Sequence, residues 1–333
     1  MTSTSTPAPP VPVARRSLRP RGIAWLVLRQ HRATFIVLAL LLVVDLGQLL
    51  VLRWLLAHEA DSQGLARLCA DIGPECVDQW SSIGDFRSTY GDALHFNGLV
   101  VQYVPLLAGL FTAGPMVARE LENGTWKLAW TQSVSPVRWL AAKLAVPAVL
   151  VLTGVSLLSA VYTWCWAAVP PEVLPGQRWY DSFGMLGPMP VADALLGVAL
   201  GALAALLTRR TVAAMVLTLV GYGLVRSALG LVRPYLLPRT RLTSLDMPAW
   251  STDGWVVDRG MLTRSGERVW GDSCDVGVSP DRCLAQHGAD RWYLDYHPTA
   301  HHWPLAWMEA GLLAVLAALA AWAAVRWLRR GRP

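Results

Sequence analysis

Six long runs of apolar residues restrict the fold of this chain more than any other feature of its sequence. Each run is rich in Leu, Ala and Val and approaches the roughly 20 residues that an α-helix needs to cross a bilayer. Only 16% of the 333 residues are charged, whereas an ordinary soluble protein has about 25%. The chain is therefore predicted to be an all-α polytopic membrane protein with six transmembrane helices, over residues 33–52, 97–118, 140–164, 190–207, 211–232 and 304–325.

The distribution of Lys and Arg predicts how these helices are oriented. With the N-terminus inside, 16 basic residues lie in cytoplasmic segments and four lie in short outside loops, namely Arg53, Arg67, Arg87 and Arg178. Basic residues accumulate on the cytoplasmic side of membrane proteins, and long loops are discounted because they translocate largely regardless of charge. Both termini are therefore predicted to be cytoplasmic, in a multi-pass protein of the plasma membrane with a long extracytoplasmic loop before the last helix.

The polar segments complete the predicted domain organisation. Residues 1–16 are rich in Ser, Thr and Pro and have little to bury, which predicts a disordered cytoplasmic tail. The basic segment 17–32 is interpreted either as an interfacial helix or as a plain flank that binds anionic lipid. The other units are a membrane domain with the first five spans, the extracytoplasmic loop, the last span and a basic cytoplasmic tail, over residues 33–232, 233–303, 304–325 and 326–333.

The five cysteines divide between the predicted outside loops and one membrane helix. Two local disulfides, Cys69 with Cys76 and Cys274 with Cys283, close loops of about eight to ten residues and need no contact between the loops. The oxidising compartment outside the cell permits both, and Cys165 is expected to stay unpaired. Free buried thiols are the alternative for the other four. Neither pair has the spacing of a zinc site, and no metal site is predicted.

The polar loop between the second and third spans carries the most informative local pattern. Gly124 is expected to adopt the left-handed conformation that ends a helix, and Thr125 to cap a new one. In that new helix Trp126 and Trp130 share one apolar face. The Ser-Pro pair at residues 135–136 then predicts the start of the third membrane helix. The loop is interpreted as a short, stiff helix between two membrane helices, and a solvated connector is the alternative.

At this loop the sequence resembles the permease subunits of type-2 ABC transporters, which are mostly exporters. Their corresponding loop has an acidic pair, a Gly-Thr pair, a Ser or Pro with a basic residue, and a Lys that enters the next span. The matching residues here are Glu120, Glu122, Gly124, Thr125, Ser135, Pro136, Arg138 and Lys143. The segment 296–298, with Trp303 and Glu309, also resembles a group of actinobacterial permeases of unassigned substrate.

The resemblance implies a function and a partner. It implies that the loop is a coupling helix that docks on a separate cytoplasmic ABC ATPase subunit, through Glu120, Glu122, Gly124, Thr125, Trp126 and Trp130. It further implies a homodimer or a heterodimer with a second permease, and export of an unidentified substrate. The chain itself is predicted not to be an enzyme and to need no cofactor, because neither of its two lysines, Lys127 and Lys143, lies in a Walker A motif.

Charged residues within the apolar runs are the second candidate site, because each costs a few kcal/mol at the centre of a bilayer. Asp45, Arg226 and Glu309 all fall in the outer half of their predicted spans. Two arrangements are open: they pair with one another, or they line a substrate path together with Gln48 and Gln102. In a third arrangement, the long side chains of Arg226 and Glu309 extend to the outer membrane interface and reach water there.

Other function classes remain as alternatives to a permease. A secondary transporter and a non-transporting membrane sensor or scaffold both fit six spans, although no inverted internal repeat is found. The basic residues lie at the ends of apolar runs, so the predicted partner besides the ATPase is the lipid bilayer and not nucleic acid. No sequence motif of a hydrolase or metalloprotease occurs.

Overall fold

The computed structural model describes residues 29, 32–62, 84–85, 87–131, 135–169, 178–246, 254–269 and 278–330. Within these residues six helices are long and apolar enough to cross a membrane, which confirms the predicted number of spans. They comprise Phe35–His58, Ser88–Glu122, Pro136–Trp166, Met189–Thr208, Thr211–Tyr235 and Thr299–Arg329.

The helices that form these spans extend beyond the predicted boundaries. Helix α1 continues to residue 62, and Leu55 and Leu56 prolong its apolar surface past the predicted end at residue 52. The second span contains two helices, α2 and α3, joined by a π-helical turn at Gly109–Ala113. In chain order the helices are α1 (Arg32–Ser62), α2 (Asp92–Ala108), α3 (Gly114–Glu122), α4 (Trp126–Thr131), α5 (Pro136–Trp166), α6 (Arg178–Asp181), α7 (Met189–Thr208), α8 (Thr211–Val232), α9 (Pro280–Gln286) and α10 (His302–Arg329).

Helix α7 is the centre of the membrane domain, because it packs against α2, α3, α5, α8 and α10. Glycines allow its closest approach to the second span. A Cβ atom placed on Gly109 would lie 2.4 Å from the carbonyl carbon of Gly197, and one placed on Gly201 would lie 2.9 Å from the carbonyl oxygen of Gly109. Small residues let membrane helices approach closely where no side chain could fit. The π-helical turn and α7 therefore form a tight backbone contact.

The segment between α8 and α10 forms a four-stranded antiparallel sheet, so the all-α prediction was wrong for this part of the chain. The strands are β1 (Thr240–Ser244), β2 (Trp255–Leu262), β3 (Arg268–Val269) and β4 (Arg291–His297), in the order β1-β4-β2-β3. Strands β2 and β4 contain the aromatic and β-branched residues that favour sheets. The strands are short, so their residue pattern is a weaker signal in the sequence than the long apolar runs of the membrane helices. Helix α9 covers one face of the sheet through Cys283 and Leu284, which pack with Met261 and Trp292.

The sheet rests on one end of the membrane helices through aromatic side chains. Tyr180 stacks on Trp255 with 4.3 Å between ring centroids, and Trp179 lies 5.6 Å from the ring of His302. Trp255 begins β2, whereas His302 begins α10, so the contacts join the sheet to the bundle. We call this end of the bundle the sheet end, and the opposite end, where α4 lies, the loop end.

Charged side chains occupy the other face of the sheet. The Arg241 guanidinium donates two hydrogen bonds to the Asp295 carboxylate, at 2.6 and 2.7 Å, across the β1–β4 pair. These hydrogen bonds and the positive charge lower the pKa of Asp295 below its ordinary value. Arg268, on the opposite edge of the sheet, also lies 3.4 Å from Asp295. The face is therefore stabilised by charge pairing where the opposite face has an apolar core.

Several sequence predictions fall outside the described residues. Cys69, Cys76 and Cys274 are among them, so both disulfides stay predictions, although Cys283 is fully buried. Cys165 is a free, buried thiol whose sulfur lies 3.4 Å from the carbonyl oxygen of Leu49. The tail 1–16 and nearly all of the basic segment 17–32 also lie outside the described part of the chain.

Candidate functional site

The loop that follows α3 has the predicted turn and the predicted short helix. Helix α3 ends at Glu122, and Gly124 then adopts a left-handed conformation with φ of +72°. The Thr125 hydroxyl donates to the carbonyl oxygen of Glu120 at 3.4 Å, which closes the end of α3. Helix α4 follows over Trp126–Thr131. The backbone of Trp130 lies in this helix, but its side chain lies outside the described atoms.

The first acidic residue of the loop motif connects α3 to α5. The Glu120 carboxylate forms an ion pair with Lys143 and accepts a hydrogen bond from the Trp139 indole nitrogen at 3.0 Å. Both partners are buried side chains of α5. Helix α5 begins where the Ser-Pro pair predicted it, because Pro136 is its first residue and the Ser135 hydroxyl accepts from the backbone nitrogen of Arg138. Glu120 therefore holds the second span against the third.

The second acidic residue of the motif connects α3 to α8. The Glu122 carboxylate accepts hydrogen bonds from the backbone nitrogen of Thr211 at 3.1 Å and from its hydroxyl at 2.8 Å. Thr211 is the first residue of α8, where unsatisfied backbone N–H groups and the helix dipole favour a carboxylate. Arg209, with φ of 54°, ends α7 in the left-handed conformation just before this contact. Glu122 thus caps the fifth membrane helix.

Each acid of the motif is consequently engaged with a neighbouring membrane helix. Glu120 is 22% exposed and engaged with α5, while Glu122 lies at the surface and is engaged with α8. Trp126 is half-buried and packs against the cluster that contains Val117 and Leu121. The end of α3, just before the Gly124 turn, is therefore held both to α5 and to α8. We call these two contacts the Glu120 brace and the Glu122 brace.

The sheet end holds a buried network of four charged side chains, the outer network. Glu309 of α10 forms ion pairs with Arg226 of α8 at 2.8 Å and with Arg233, just after α8, at 2.6 Å. Asp193 of α7 lies 3.8 Å from the Arg226 guanidinium. The side chains of Glu309 and Asp193 are fully buried, and the two arginines are 17% and 12% exposed. Two positive and two negative charges leave the network with no net charge.

The structure separates the five residues predicted to line a path into two groups. Gln102 and Arg226 lie together, since a Cβ atom placed on Gly184 would be 3.3 Å from the Gln102 amide and 3.4 Å from the Arg226 guanidinium. Glu309 joins them through its ion pair, so it does not extend to the outer interface. Asp45 and Gln48 lie on α1, where Asp45 is 7% exposed and Gln48 faces outward. Among the described residues, the Asp45 atom Oδ2 has no hydrogen-bond partner.

Two members of the outer network, Asp193 and Arg233, were not predicted from the sequence. Asp193 lies near the start of the fourth span, and an acidic residue within an apolar run was a signal that could have identified it. Arg233 was placed in the outside loop because the predicted fifth span ended at residue 232, whereas the helical segment continues to residue 235. Among the described residues, no group of three or more His, Cys, Asp or Glu side chains is placed to hold a metal ion.

Comparison with known families accounts for the membrane part of this arrangement. A family model described as ABC-2 membrane transporter related matches residues 37–233, from the second turn of α1 to the turn after α8. No curated protein and no solved structure matches the chain significantly. The matched region includes both braces of the loop end and three of the four members of the outer network. Because it covers more than half of the sequence, the chain belongs to the ABC-2 membrane transporter related family.

Proposed function

We propose that this protein is the membrane-spanning subunit of an ABC exporter, driven by ATP that a separate cytoplasmic subunit hydrolyses. Its family supports a multi-pass permease that is not itself catalytic. The ATPase partner, the outward direction and a homodimeric or heterodimeric assembly are parts of the proposal. The observation that carries it is the pair of braces that tie the end of α3, from which the short loop continues, to two other membrane helices.

The braces give the loop the properties of a mechanical coupling element. Helix α4 has six residues and lies between the Gly124 turn and the start of α5. In this proposal a partner that pushes on α4 moves the end of α3 through the Gly124 turn, and α3 then displaces α5 through the Glu120 brace and α8 through the Glu122 brace. In this proposal the acidic pair transmits the movement, while the exposed surface of α4, which includes Lys127, meets the ATPase.

The orientation that coupling requires is the one that the basic residues favour. The loop end carries the exposed side chains of Arg119, Arg138, Arg209, Arg210 and Arg329. Basic residues favour the cytoplasmic side, where the ATPase subunit would bind. The sheet end then faces the outside, and the predicted disulfides fall in an oxidising compartment.

The substrate path belongs to the same proposal. Gln102, Arg226 and Glu309 would form its outer part, and Asp45 would face it from α1, whereas Gln48 faces outward and is left out of the proposed path. A substitution of Asp45 tests the substrate path most directly, because the buried Asp45 carboxylate lacks a hydrogen-bond partner at Oδ2 among the described residues. We expect Asp45→Asn to reduce ATP-dependent export at least several-fold in membrane vesicles, with little loss of folded protein. Full transport activity of this variant would remove Asp45 from the path.

The coupling role is tested by measuring the activity of the partner ATPase in reconstituted liposomes. Gly124→Val places a β-branched residue at a left-handed position, and Glu122→Lys breaks the brace to α8. Both variants should insert into the membrane and lose at least tenfold in ATPase stimulation and in transport. Gly266→Val is the matched control, because Gly266 also has a positive φ and open space around its Cβ position but lies in the sheet.

Two outcomes would contradict the proposal. If Gly124→Val and Glu122→Lys stimulate the ATPase as the parent does, the loop does not couple. If no ATPase subunit co-purifies with the parent protein, the secondary transporter and the sensor become the better hypotheses.

A further inference from the structure

An apolar groove on the membrane surface of the protein is unused by the proposed function. It has a volume of about 370 Å³ and lies between α5, α7 and α10. The side chains that line the groove come from residues 137–144 of α5, 195–202 of α7 and 314–325 of α10. Every side chain that lines it is Ala, Val or Leu. Small side chains on α10, such as Ala317 and Ala321, create the space. A groove with such walls inside a bilayer excludes water and polar ligands.

The dimensions of the groove match one leaflet of the membrane. It extends along α10 from Ala314 to Val325, which at the rise of an α-helix is about 17 Å. Half of the hydrocarbon core of a bilayer is about 15 Å thick. The groove begins near the middle of α7 and ends where α5 begins, at the loop end. It therefore has the length and the position of a single extended acyl chain.

Positive charge lies at the open end of the groove. Arg138 follows the lining residue Val137 on α5, and Arg329 lies one helical turn beyond the lining residue Val325 on α10. Both arginines are exposed, and among the described residues neither forms an ion pair with an acidic side chain. Guanidinium groups bind phosphate through two parallel hydrogen bonds. The apolar walls complement the acyl chain of an anionic phospholipid, and the two arginines complement its phosphate group.

We propose that this groove binds an anionic phospholipid of the leaflet at the loop end, with an acyl chain between α5, α7 and α10. The lipid phosphate lies at Arg138 and Arg329. The proposal is independent of coupling, since neither the Glu120 brace nor the Glu122 brace lines the groove. A bound lipid would fill the space between α10 and α5, two helices that otherwise make few direct contacts.

The experiment measures lipid retention by native mass spectrometry. The full chain is extracted in mild detergent from vesicles that contain equal amounts of phosphatidylglycerol and phosphatidylcholine. The parent should retain phosphatidylglycerol in preference to phosphatidylcholine. Replacing Ala318 and Ala321 together by Leu fills the groove at exposed positions and should lower retention about tenfold. The control Ala213→Leu, at an exposed position of α8 outside the groove, should retain lipid as the parent does.

A second pair of variants tests the headgroup. Arg138→Gln and Arg329→Gln should each lower the preference for phosphatidylglycerol about fivefold, because one basic side chain near a membrane surface contributes about that factor. Arg119→Gln is the matched control, since Arg119 is also exposed at the loop end but lies on α3, none of whose residues line the groove.

Three results would overturn the inference. Unchanged lipid retention in the groove-filled variant would show that the lipid binds elsewhere. Equal retention of the two lipids by the parent would show that the groove does not select an anionic headgroup. A second copy of the chain that dissociates when the groove is filled would show that the groove is a protein interface.

Discussion

The two ends of the membrane domain hold their charged side chains in different ways. At the loop end each acid has its own partners, and both acids keep contact with the surface. At the sheet end four charges share one network in which the two carboxylates are fully buried. A buried charge that loses its partner is left uncompensated, whereas an exposed one is hydrated. We therefore expect the outer network to matter most for folding, and we propose that the braces transmit movement.

The largest effect is expected from Glu309→Gln. The substitution removes the carboxylate shared by Arg226 and Arg233 and leaves Asp193, at 3.8 Å, as the one acid of the outer network. Breaking a buried ion pair by removing one partner costs about 3–5 kcal/mol of unfolding free energy. The measurement is denaturant unfolding in detergent micelles, followed by Trp fluorescence.

The control for this variant is Glu267→Gln, which removes an exposed acid from the β2–β3 turn and should change the unfolding free energy by less than about 0.5 kcal/mol. A Glu309→Gln protein as stable as the control would show that the outer network is not needed for folding. The contrast between the two ends would then be lost.

A smaller loss of stability is expected from Lys143→Met at the loop end. The long apolar stem is kept, but Glu120 loses its ion pair while it keeps the Trp139 hydrogen bond and partial access to water. We expect a loss of about 1–3 kcal/mol, the range for removing one partner of a charged hydrogen bond. The same denaturant titration checks this value, and the ATPase assay should show a larger relative loss than for Glu309→Gln.

Lys127→Met is the control, because Lys127 is the other lysine of the chain and is exposed on α4. Its unfolding free energy should match that of the parent. If Lys143→Met were as destabilising as Glu309→Gln, both ends would be folding determinants and the proposed division of roles would fail.

The smallest effect is expected in the sheet, where Asp295 is buried but Arg241 is 40% exposed and Arg268 stays as a second partner of the carboxylate. Because Arg241 lowers the pKa of Asp295, the pair stabilises the fold above the ordinary pKa of an aspartate, about 3.9. This contribution is lost as the pH falls through the lower pKa of the folded state. Near-UV circular dichroism reports the packing of aromatic side chains such as Tyr293, which lies under Arg241, and this signal should be retained at pH 4. In Arg241→Gln the acid transition should begin at a higher pH.

Arg264→Gln serves as the control, since Arg264 is exposed in the β2–β3 turn. A transition at the same pH in all three proteins would show that the Arg241–Asp295 contact contributes nothing to the sheet. Such a result would leave the contrast between the membrane ends intact, because neither end is involved.

The sequence by itself determined the features that depend on neighbouring residues. Six apolar runs set the number of membrane helices, because a run of about 20 residues is enough to cross a bilayer. Gly124 and Pro136 set the turn and the start of α5 through backbone preferences that need no distant partner. The resemblance of the loop to type-2 ABC permeases is of the same local kind, and the family match supports it.

Only the tertiary structure decided which side chains meet. Glu122 and Thr211 are 89 positions apart in the sequence, and Arg233 and Glu309 are 76 apart. Apolar periodicity does not define how far each helix is rotated and shifted against its neighbours, so it predicts neither contact. The sheet was missed for a related reason. Its strands of two to eight residues acquire stability only from tertiary contacts: pairing with one another, the apolar core under α9, the charged pairs, and aromatic contacts such as that of Trp255 with Tyr180.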